Sequence, residues 1–161
     1  MTTDPSHGFE AMALRRVGDS GRIRGVASRS DTVAVAVDTD DRRRFLVIFQ
    51  WDGSDWQSPE LLDGQSIPVS PSVAPSPGFI PDLMITQVAL PGPKRPGSAW
   101  SAAAGTIASD ARRVIAVSDL DSAEAFAGSD GFFLLLLRCR WSARPHLTLS
   151  TQSGAEIDIQ P

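Results

Sequence analysis

A chain of 161 residues, 42% of them hydrophobic and 21% charged, has the composition of a folded globular protein, which excludes a wholly disordered chain. Its net charge of −4 excludes a general electrostatic attraction to nucleic acid, because proteins that neutralise phosphates carry a basic excess. The most apolar run, residues 131–141, is shorter than the about 20 residues of a membrane-spanning helix, so we expect no nucleic-acid partner and no membrane partner.

The cysteine content and the amino terminus indicate a cellular compartment. Cys139 is the only cysteine, so an internal disulfide is impossible. Residues 1–6 have neither the cationic start nor the apolar core of a secretory signal. Both observations predict a cytoplasmic protein.

The first part of the chain predicts a tail followed by a β unit. Residues 1–10 are polar and contain Pro5 and Gly8, which is typical of a flexible tail. Residues 11–57 are the predicted amino-terminal β unit, and residues 10–17 fit either one or two helical turns or a first strand. We expect an edge strand at 22–27, a strand at 32–37 with valines on one face and alanines on the other, and a two-sided strand at 43–51.

A tight hairpin is predicted where this last strand ends. The sequence there reads Trp51-Asp52-Gly53-Ser54-Asp55-Trp56, and Gly53 can adopt the positive φ that a tight turn requires. The segment resembles the Asp-box turn of propeller hairpins, but it lacks the residue between Asp and Gly and occurs once.

Proline dominates the middle of the chain. Residues 58–97 contain nine prolines, and because proline removes a backbone donor and fixes φ, the segment can be neither central sheet nor continuous helix. It is either a mobile linker or a strap laid over a sheet face. Its many apolar residues favour the strap, which includes a short edge strand at 83–90.

Residues 98–161 are the predicted carboxy-terminal β unit. Its loop at residues 118–130 is expected to hold a helical turn at residues 122–127. Strands are expected at residues 112–117, 132–141, 146–151 and 156–160.

The strand at 132–141 is apolar on both faces. Alternation places Phe133, Leu135, Leu137, Cys139 and Trp141 on one face and Phe132, Leu134, Leu136, Arg138 and Arg140 on the other. Both faces are apolar as far as Arg138, so either the chain itself or a second copy must cover them. We therefore predict an all-β fold, an antiparallel β-sandwich, built as one domain with a strap or as two similar subdomains joined by it.

The two halves of the chain share a pattern. Each has a small-residue strand, a valine strand, an acidic loop and a two-sided apolar strand that ends in Trp. The three segments are 25–28, 33–38 and 45–51 in the first half and 105–109, 114–119 and 132–141 in the second. This order predicts an internal repeat.

The carboxy-terminal unit also carries a family resemblance. It contains Gly-Thr-Ile-Ala, Arg-Val-Ile-Ala-Val and Asp-Gly-Phe-Phe segments, and its last hairpin has Gly154 at the tip. These features are similar to small immunoglobulin-like or carboxypeptidase-regulatory-like β-sandwich modules, and they cover under half of the chain. The resemblance implies a non-catalytic sandwich.

No catalytic or cofactor motif is evident in the sequence. His7 lies in the predicted tail and His146 follows a proline, while Cys139 faces the predicted core, where a thiol is buried and inert. We therefore predict no catalytic residue and no cofactor.

Two acidic turns are candidate Ca²⁺ sites, since carboxylates are the preferred ligands of this ion. Asp is also a common turn residue, because its side chain bonds the nearby backbone, and this second interpretation leads us to predict no metal. The two turns contain Asp38, Asp40 and Asp41, and Asp119, Asp121 and Glu124.

The two-sided strands favour a protein-interaction module, since an apolar face can require a partner, either another protein or a second copy in a homodimer. Two alternatives remain: a small-ligand or carbohydrate-binding module that uses hairpin tryptophans, and an enzyme with an unrecognised site. The predicted interaction surface comprises Trp56, Leu134, Leu136, Arg138 and Arg140.

Overall fold

The computed structural model describes residues 6–59, 62, 64–68, 78–89, 97–107 and 111–159, and the chain divides into two compact units, Met1–Ile67 and Pro68–Pro161. Every strand pairing is antiparallel, and the described residues contain a single short helix. The predicted all-β fold is therefore confirmed. Within the described residues, no helix is long and apolar enough to cross a membrane.

Unit 1 is one antiparallel sheet with a helix on one face. The sheet order is β1-β2-β3-β4, and β5 also pairs with β3. The elements are α1 (Ser6–Val17), β1 (Arg22–Arg29), β2 (Thr32–Asp38), β3 (Arg43–Trp51), β4 (Trp56–Gln57) and β5 (Gln65–Ser66).

The segment that ends at Val17, expected to be either helical turns or a first strand, is helix α1. It begins at Ser6, so residues 6–10 are helical and do not belong to a tail. Phe9, Ala13 and Val17 recur every four residues and therefore share one side of the helix, which packs on the sheet. The helix ends where the Gly18 N–H donates to the Leu14 carbonyl at 2.9 Å. Residues 1–5 lie outside the described residues.

The valine strand packs as its alternation predicts. Val33, Val35 and Val37 of β2 meet the helix together with Val47 and Phe49 of β3. The alanines of β2 point to the opposite face of the sheet and are fully buried there. Strand β1 lies at the edge of the sheet, as expected, and carries an irregularity between Ile23 and Gly25.

Unit 2 is built from two antiparallel sheets. The three-stranded sheet has the order β10-β7-β6 and the four-stranded sheet the order β12-β11-β8-β9. The elements are β6 (Met84–Ala89), β7 (Ser98–Thr106), β8 (Ala111–Val117), β9 (Ser122–Phe126), β10 (Phe132–Arg140), β11 (His146–Thr151) and β12 (Glu156–Asp158).

The core of unit 2 lies between these sheets. Phe133, Leu135 and Leu137 of β10 pack with Val114 of β8 and Leu147 of β11. Each of the five is at most 4% exposed. The two sheets thus form a β-sandwich.

Both faces of β10 are covered by the chain itself. Leu135, on the sandwich side, is 2% exposed, while Phe132 and Leu136, on the opposite side, are 6% and 1% exposed. Atoms of the same chain bury all three side chains. The prediction that both faces are covered is confirmed.

One element differs from the prediction. Residues 122–126, expected to hold a helical turn, form strand β9 and pair with β8 from Arg113↔Phe126 to Val117↔Ser122. Ala123 and Ala125 are half-buried, while Ser122, Glu124 and Phe126 are exposed, which is a period of two. The helical turn is wrong because alanine fits a strand that packs closely against a neighbouring layer.

The proline-rich segment contributes strands to both units, β5 to unit 1 and β6 to unit 2. Its predicted edge strand is confirmed, since β6 occupies Met84–Ala89 at the end of the three-stranded sheet. Ile80 belongs to the sandwich core and is 5% exposed. The choice between strap and linker concerns the rest of residues 58–97, and much of that stretch lies outside the described residues.

The two halves match in sequence pattern but not in strand connectivity. In unit 1 the three corresponding strands are consecutive neighbours, β1-β2-β3, in one sheet. In unit 2 the corresponding strands are β7, β8 and β10, and β8 lies in the other sheet from β7 and β10. The predicted repeat therefore does not extend to the fold.

Candidate interaction surface

Trp56 is a packing residue at the edge of the unit 1 core. Its ring meets the Phe9 ring edge-on at 4.7 Å and the Trp51 ring at 5.6 Å, and the side chain is half-buried. Trp51, its cross-strand partner, is 39% exposed. Of these two tryptophans, Trp51 therefore presents the more accessible ring.

The other four predicted contact residues lie on β10 in unit 2. Leu136 is 1% exposed and so has no area to offer a partner, while Leu134 and Arg138 are half-buried. Arg140 is exposed and forms an ion pair with Asp119. The face of β10 that carries these residues is therefore largely buried by the chain itself.

The first acidic turn is occupied by a buried ion pair. Asp38 belongs to β2, and both of its carboxylate oxygens accept hydrogen bonds from the Arg44 guanidinium, at 2.8 and 2.9 Å. Arg44 is 2% and Asp38 8% exposed, so their opposite charges balance out of water, and Arg24 Nε lies 3.6 Å from Asp38 Oδ2 as a second, partly exposed cation. This carboxylate supports the fold.

The second acidic turn ties the two sheets of unit 2 together. The Arg138 N–H donates to Asp121 Oδ2 at 3.0 Å, and Ser118 Oγ donates to the Arg138 carbonyl at 2.6 Å. Glu124 pairs with Arg113 at 2.9 Å. Within the described residues, no three His, Cys, Asp or Glu side chains are grouped so that they could hold a metal ion.

Cys139 is fully buried in the sandwich core, as the alternation of β10 predicts. Burial raises the pKa of its thiol above the ordinary value of 9.0, while the Ser101 and Ser118 hydroxyls act in the opposite direction. The protonated thiol is a poor nucleophile. His146, on the outer surface, has its Nε2 3.1 Å from Asp158 Oδ1.

Two surface clefts lie among the described residues of unit 2. The larger, about 570 Å³, is lined by Arg112, Phe126 and the loop 127–131. The smaller, about 210 Å³, lies beside Leu83, Arg144 and His146. Both are open to solvent.

The most exposed apolar side chains of the four-stranded sheet lie on the face that points away from the core. We call this the outer sheet face and define it by Arg113, Ile115, Val117, Glu124 and Phe126. Phe126 is 69% and Val117 47% exposed, and Ile115 is half-buried between them. The Arg113–Glu124 pair lies beside them. A wet sheet face normally carries polar residues, so these apolar side chains stand out.

The outer sheet face could not be recognised from the secondary structure that the sequence predicts. It is formed by residues 113–117 and 122–126. The run Val114-Ile115-Ala116-Val117 places apolar residues on both faces of β8. It does not show which of the two faces is exposed to solvent. The expected helical turn at 122–127 gives no reason to place Phe126 on this face. Only the pairing of β9 with β8 puts its side chain beside Arg113. The alternation of alanine with longer residues across 122–126 is the signal that could have identified it.

No family model, no curated protein and no solved structure matches this chain.

Proposed function

We propose that the protein is a non-catalytic protein-interaction module, immunoglobulin-like in its sandwich, that works in the cytoplasm and binds through the outer sheet face. The exposure of Phe126 and Val117 on the outer sheet face, beside the charged Arg113 and Glu124, is the observation that carries the proposal. Aromatic and branched aliphatic side chains on a flat, rigid sheet can lose hydration to a partner without losing much conformational freedom.

Charges at this surface support a specific partner. In the β8–β9 ladder Arg113 lies opposite Phe126 and Glu124 lies opposite Ile115, so the exposed ion pair is interleaved with the apolar side chains and selects partners with complementary charges. The buried, protonated Cys139 supports a structural role for the sandwich core and is consistent with a reducing compartment.

Site-specific photo-crosslinking in cells tests the proposal, since it captures a partner of any identity at a chosen position. A photoreactive residue in place of Phe126 or Val117 is expected to yield discrete crosslinked species. The same residue in place of Ser153, in the exposed turn between β11 and β12, is the matched control and is expected to yield none. Equal yields at all three positions, or no species at Phe126 and Val117, would contradict the proposal.

One observation favours a second function, carbohydrate binding through the unit 1 hairpin. Trp51 is 39% exposed and its ring contacts the Trp56 ring at a centroid distance of 5.6 Å, so a fixed aromatic side chain is available to stack on a sugar ring. A glycan array compares wild type with Trp51→Ala. Signals that disappear in the variant would support this function, and an array without signals would reject it.

A further inference from the structure

Strand β6 forms an open edge of the three-stranded sheet. It pairs with β7 from Met84↔Ala104 to Ala89↔Ala99, and no strand of the described residues pairs with its other side. In an antiparallel ladder every second residue directs its N–H and C=O away from a given neighbour. Alternate residues of β6 therefore offer donors and acceptors to another strand.

The remaining outer strands of unit 2 are protected. In β10, the Arg138 N–H and C=O are taken by Asp121 and Ser118. Strand β9 has five residues and includes Glu124, and β12 has only three. Gly78 lies so close to β12 that an added Cβ would be 2.4 Å from the Asp158 carbonyl oxygen. Short length, charge and coverage are the usual protections against edge-to-edge pairing.

Among the described residues, no strand covers the open side of β6, and the strand itself carries no charge. Its six residues, Met-Ile-Thr-Gln-Val-Ala, include no charge and no proline, and its register with β7 is regular. The strand is also held in place, because the Gln87 side-chain amide donates to the Ala143 carbonyl and its oxygen accepts from the Ser142 N–H at 3.1 Å. A fixed, uncharged edge is a template for strand addition.

We propose that β6 pairs with β6 of a second copy of this chain, in an antiparallel arrangement that joins two three-stranded sheets into one of six. In an antiparallel pair about a two-fold axis, the residue at the axis lies opposite its own copy and the other residues lie opposite residues of the same strand, so an edge with several like charges repels itself. Strand β1, the open edge of unit 1, carries Arg22, Arg24 and Arg29 and would suffer that repulsion. Strand β6 would not.

This inference rests on the proposed function only in that the module binds protein, and it names one partner and a surface distinct from the outer sheet face. Few side chains take part in an edge pairing, so we expect a weak dimer, with a dissociation constant on the order of micromolar or above. The dimer would be populated at high protein concentration.

The test compares two Thr→Lys variants of the full chain by light scattering over a range of protein concentrations. Thr86 lies near the middle of β6, and with the two-fold axis beside it Thr86→Lys puts a charge opposite its own copy, which is expected to raise the dimer dissociation constant about tenfold or more. Thr148→Lys is the matched control, because Thr148 is also half-buried and lies on β11, between β12 and β8. It is expected to leave the constant unchanged.

Hydrogen exchange of the wild-type chain gives a readout that does not depend on a variant folding. The alternate amides within residues 84–89 that do not donate to β7 are expected to exchange more slowly as protein concentration rises, while those of β1 are not. A strict monomer at all concentrations overturns the inference, as does a dimer weakened by Thr148→Lys but not by Thr86→Lys. Neither result changes the crosslinking expected from Phe126, so the two proposals fail separately.

Discussion

The two units bury a two-sided apolar strand in different ways. Each contains a strand that is apolar on both faces, β3 in unit 1 and β10 in unit 2. In unit 1 a helix lies over one face, and Phe49 packs against the Phe9 ring at a centroid distance of 5.4 Å. In unit 2 a second sheet does so, and Phe133 packs among side chains of β8 and β11.

This difference teaches that a two-sided strand specifies burial but not what buries it. A single short helix can shift as a body over a sheet, because only its side chains and its connection to β1 hold it. Two facing sheets are each held by ladders of backbone hydrogen bonds and can adjust less. We therefore expect the same defect to be tolerated better in unit 1 than in unit 2.

The largest expected effect comes from Phe133→Ala compared with Phe49→Ala. Both side chains are 1% exposed, so the transferred area is similar. Phe→Ala in a core costs about 3–5 kcal/mol, and the cavity left behind costs least where the surroundings can collapse. Phe133→Ala should lower the free energy of unfolding by about 4–5 kcal/mol and Phe49→Ala by about 3 kcal/mol, measured by urea denaturation.

Phe126→Ala is the control for this pair, because Phe126 is 69% exposed and its truncation should change the free energy of unfolding by less than about 0.5 kcal/mol. A loss for Phe49→Ala that equals or exceeds the loss for Phe133→Ala would contradict the idea that the helix is the more adaptable cover.

The next effect concerns the ion pairs of the two units. Asp38→Asn in unit 1 leaves the Arg44 guanidinium buried without its balancing charge, and this should lower the free energy of unfolding by about 3 kcal/mol. Glu124→Gln in unit 2 breaks the exposed pair with Arg113 and should change it by less than about 0.5 kcal/mol. Chemical denaturation at neutral pH measures both.

The double variant Asp38→Leu with Arg44→Met separates the charge from the packing. Replacement of both partners by apolar side chains of similar size removes the buried Arg44 charge. Arg24 also loses Asp38, but its side chain is 22% exposed and keeps contact with water, so most of the loss should be recovered. A double variant no more stable than Asp38→Asn would show that the pair acts through shape.

Much of this fold could be predicted from alternation and turn residues. The valines of β2, the two faces of β10 and the hairpin after Trp51 follow from a period of two and from Asp-Gly turn chemistry. The helical turn at 122–127 is wrong because a five-residue segment is too short for periodicity to outweigh the helix preference of alanine. Pairing with β8 decides its structure, and pairing is not local.

The candidate surface is harder to predict for a related reason. Leu134 and Leu136 lie on the face of β10 opposite the sandwich core, and their apolar side chains suggest a contact surface. The same chain covers that face, however, and Leu136 is buried. Val117 ends a run, 114–117, in which exposed and buried residues are equally apolar, and Phe126 is exposed on a strand whose more buried residues are small alanines. The sequence shows which residues can be buried, and only the layer arrangement decides which of them are.

A smaller effect is expected from the turn that joins β8 to β9. Ser118 Oγ donates to the Arg138 carbonyl at 2.6 Å and accepts from the Asp121 N–H at 3.0 Å, so one hydroxyl connects the two sheets. Ser118→Ala should lower the free energy of unfolding by about 1–2 kcal/mol, and Ser118→Thr, which keeps the hydroxyl, by less. A loss in Ser118→Thr as large as in Ser118→Ala would point to tight packing at this site.

The smallest effect belongs to the corresponding side chain of unit 1, Asp52, whose bonds stay within its own hairpin. Its Oδ1 accepts from the Ser54 N–H and the Asp55 N–H, each at 2.8 Å, and from Ser54 Oγ at 3.0 Å. These bonds, led by that from the Ser54 N–H, lower the pKa of Asp52 from 3.8 to about 2. The charged form is thus favoured in the folded hairpin.

Because the folded pKa lies below the unfolded value, the contribution of Asp52 to stability is present above about pH 4 and is lost as the pH falls towards 2. The side chain is fully exposed, so we expect a shift in its NMR titration midpoint and little change in unfolding. Ser54→Ala removes one hydroxyl donor but keeps the backbone donors, so the midpoint should rise only part of the way. A wild-type midpoint near 3.8 would show that this turn does not hold its carboxylate as the Ser118 turn holds β10.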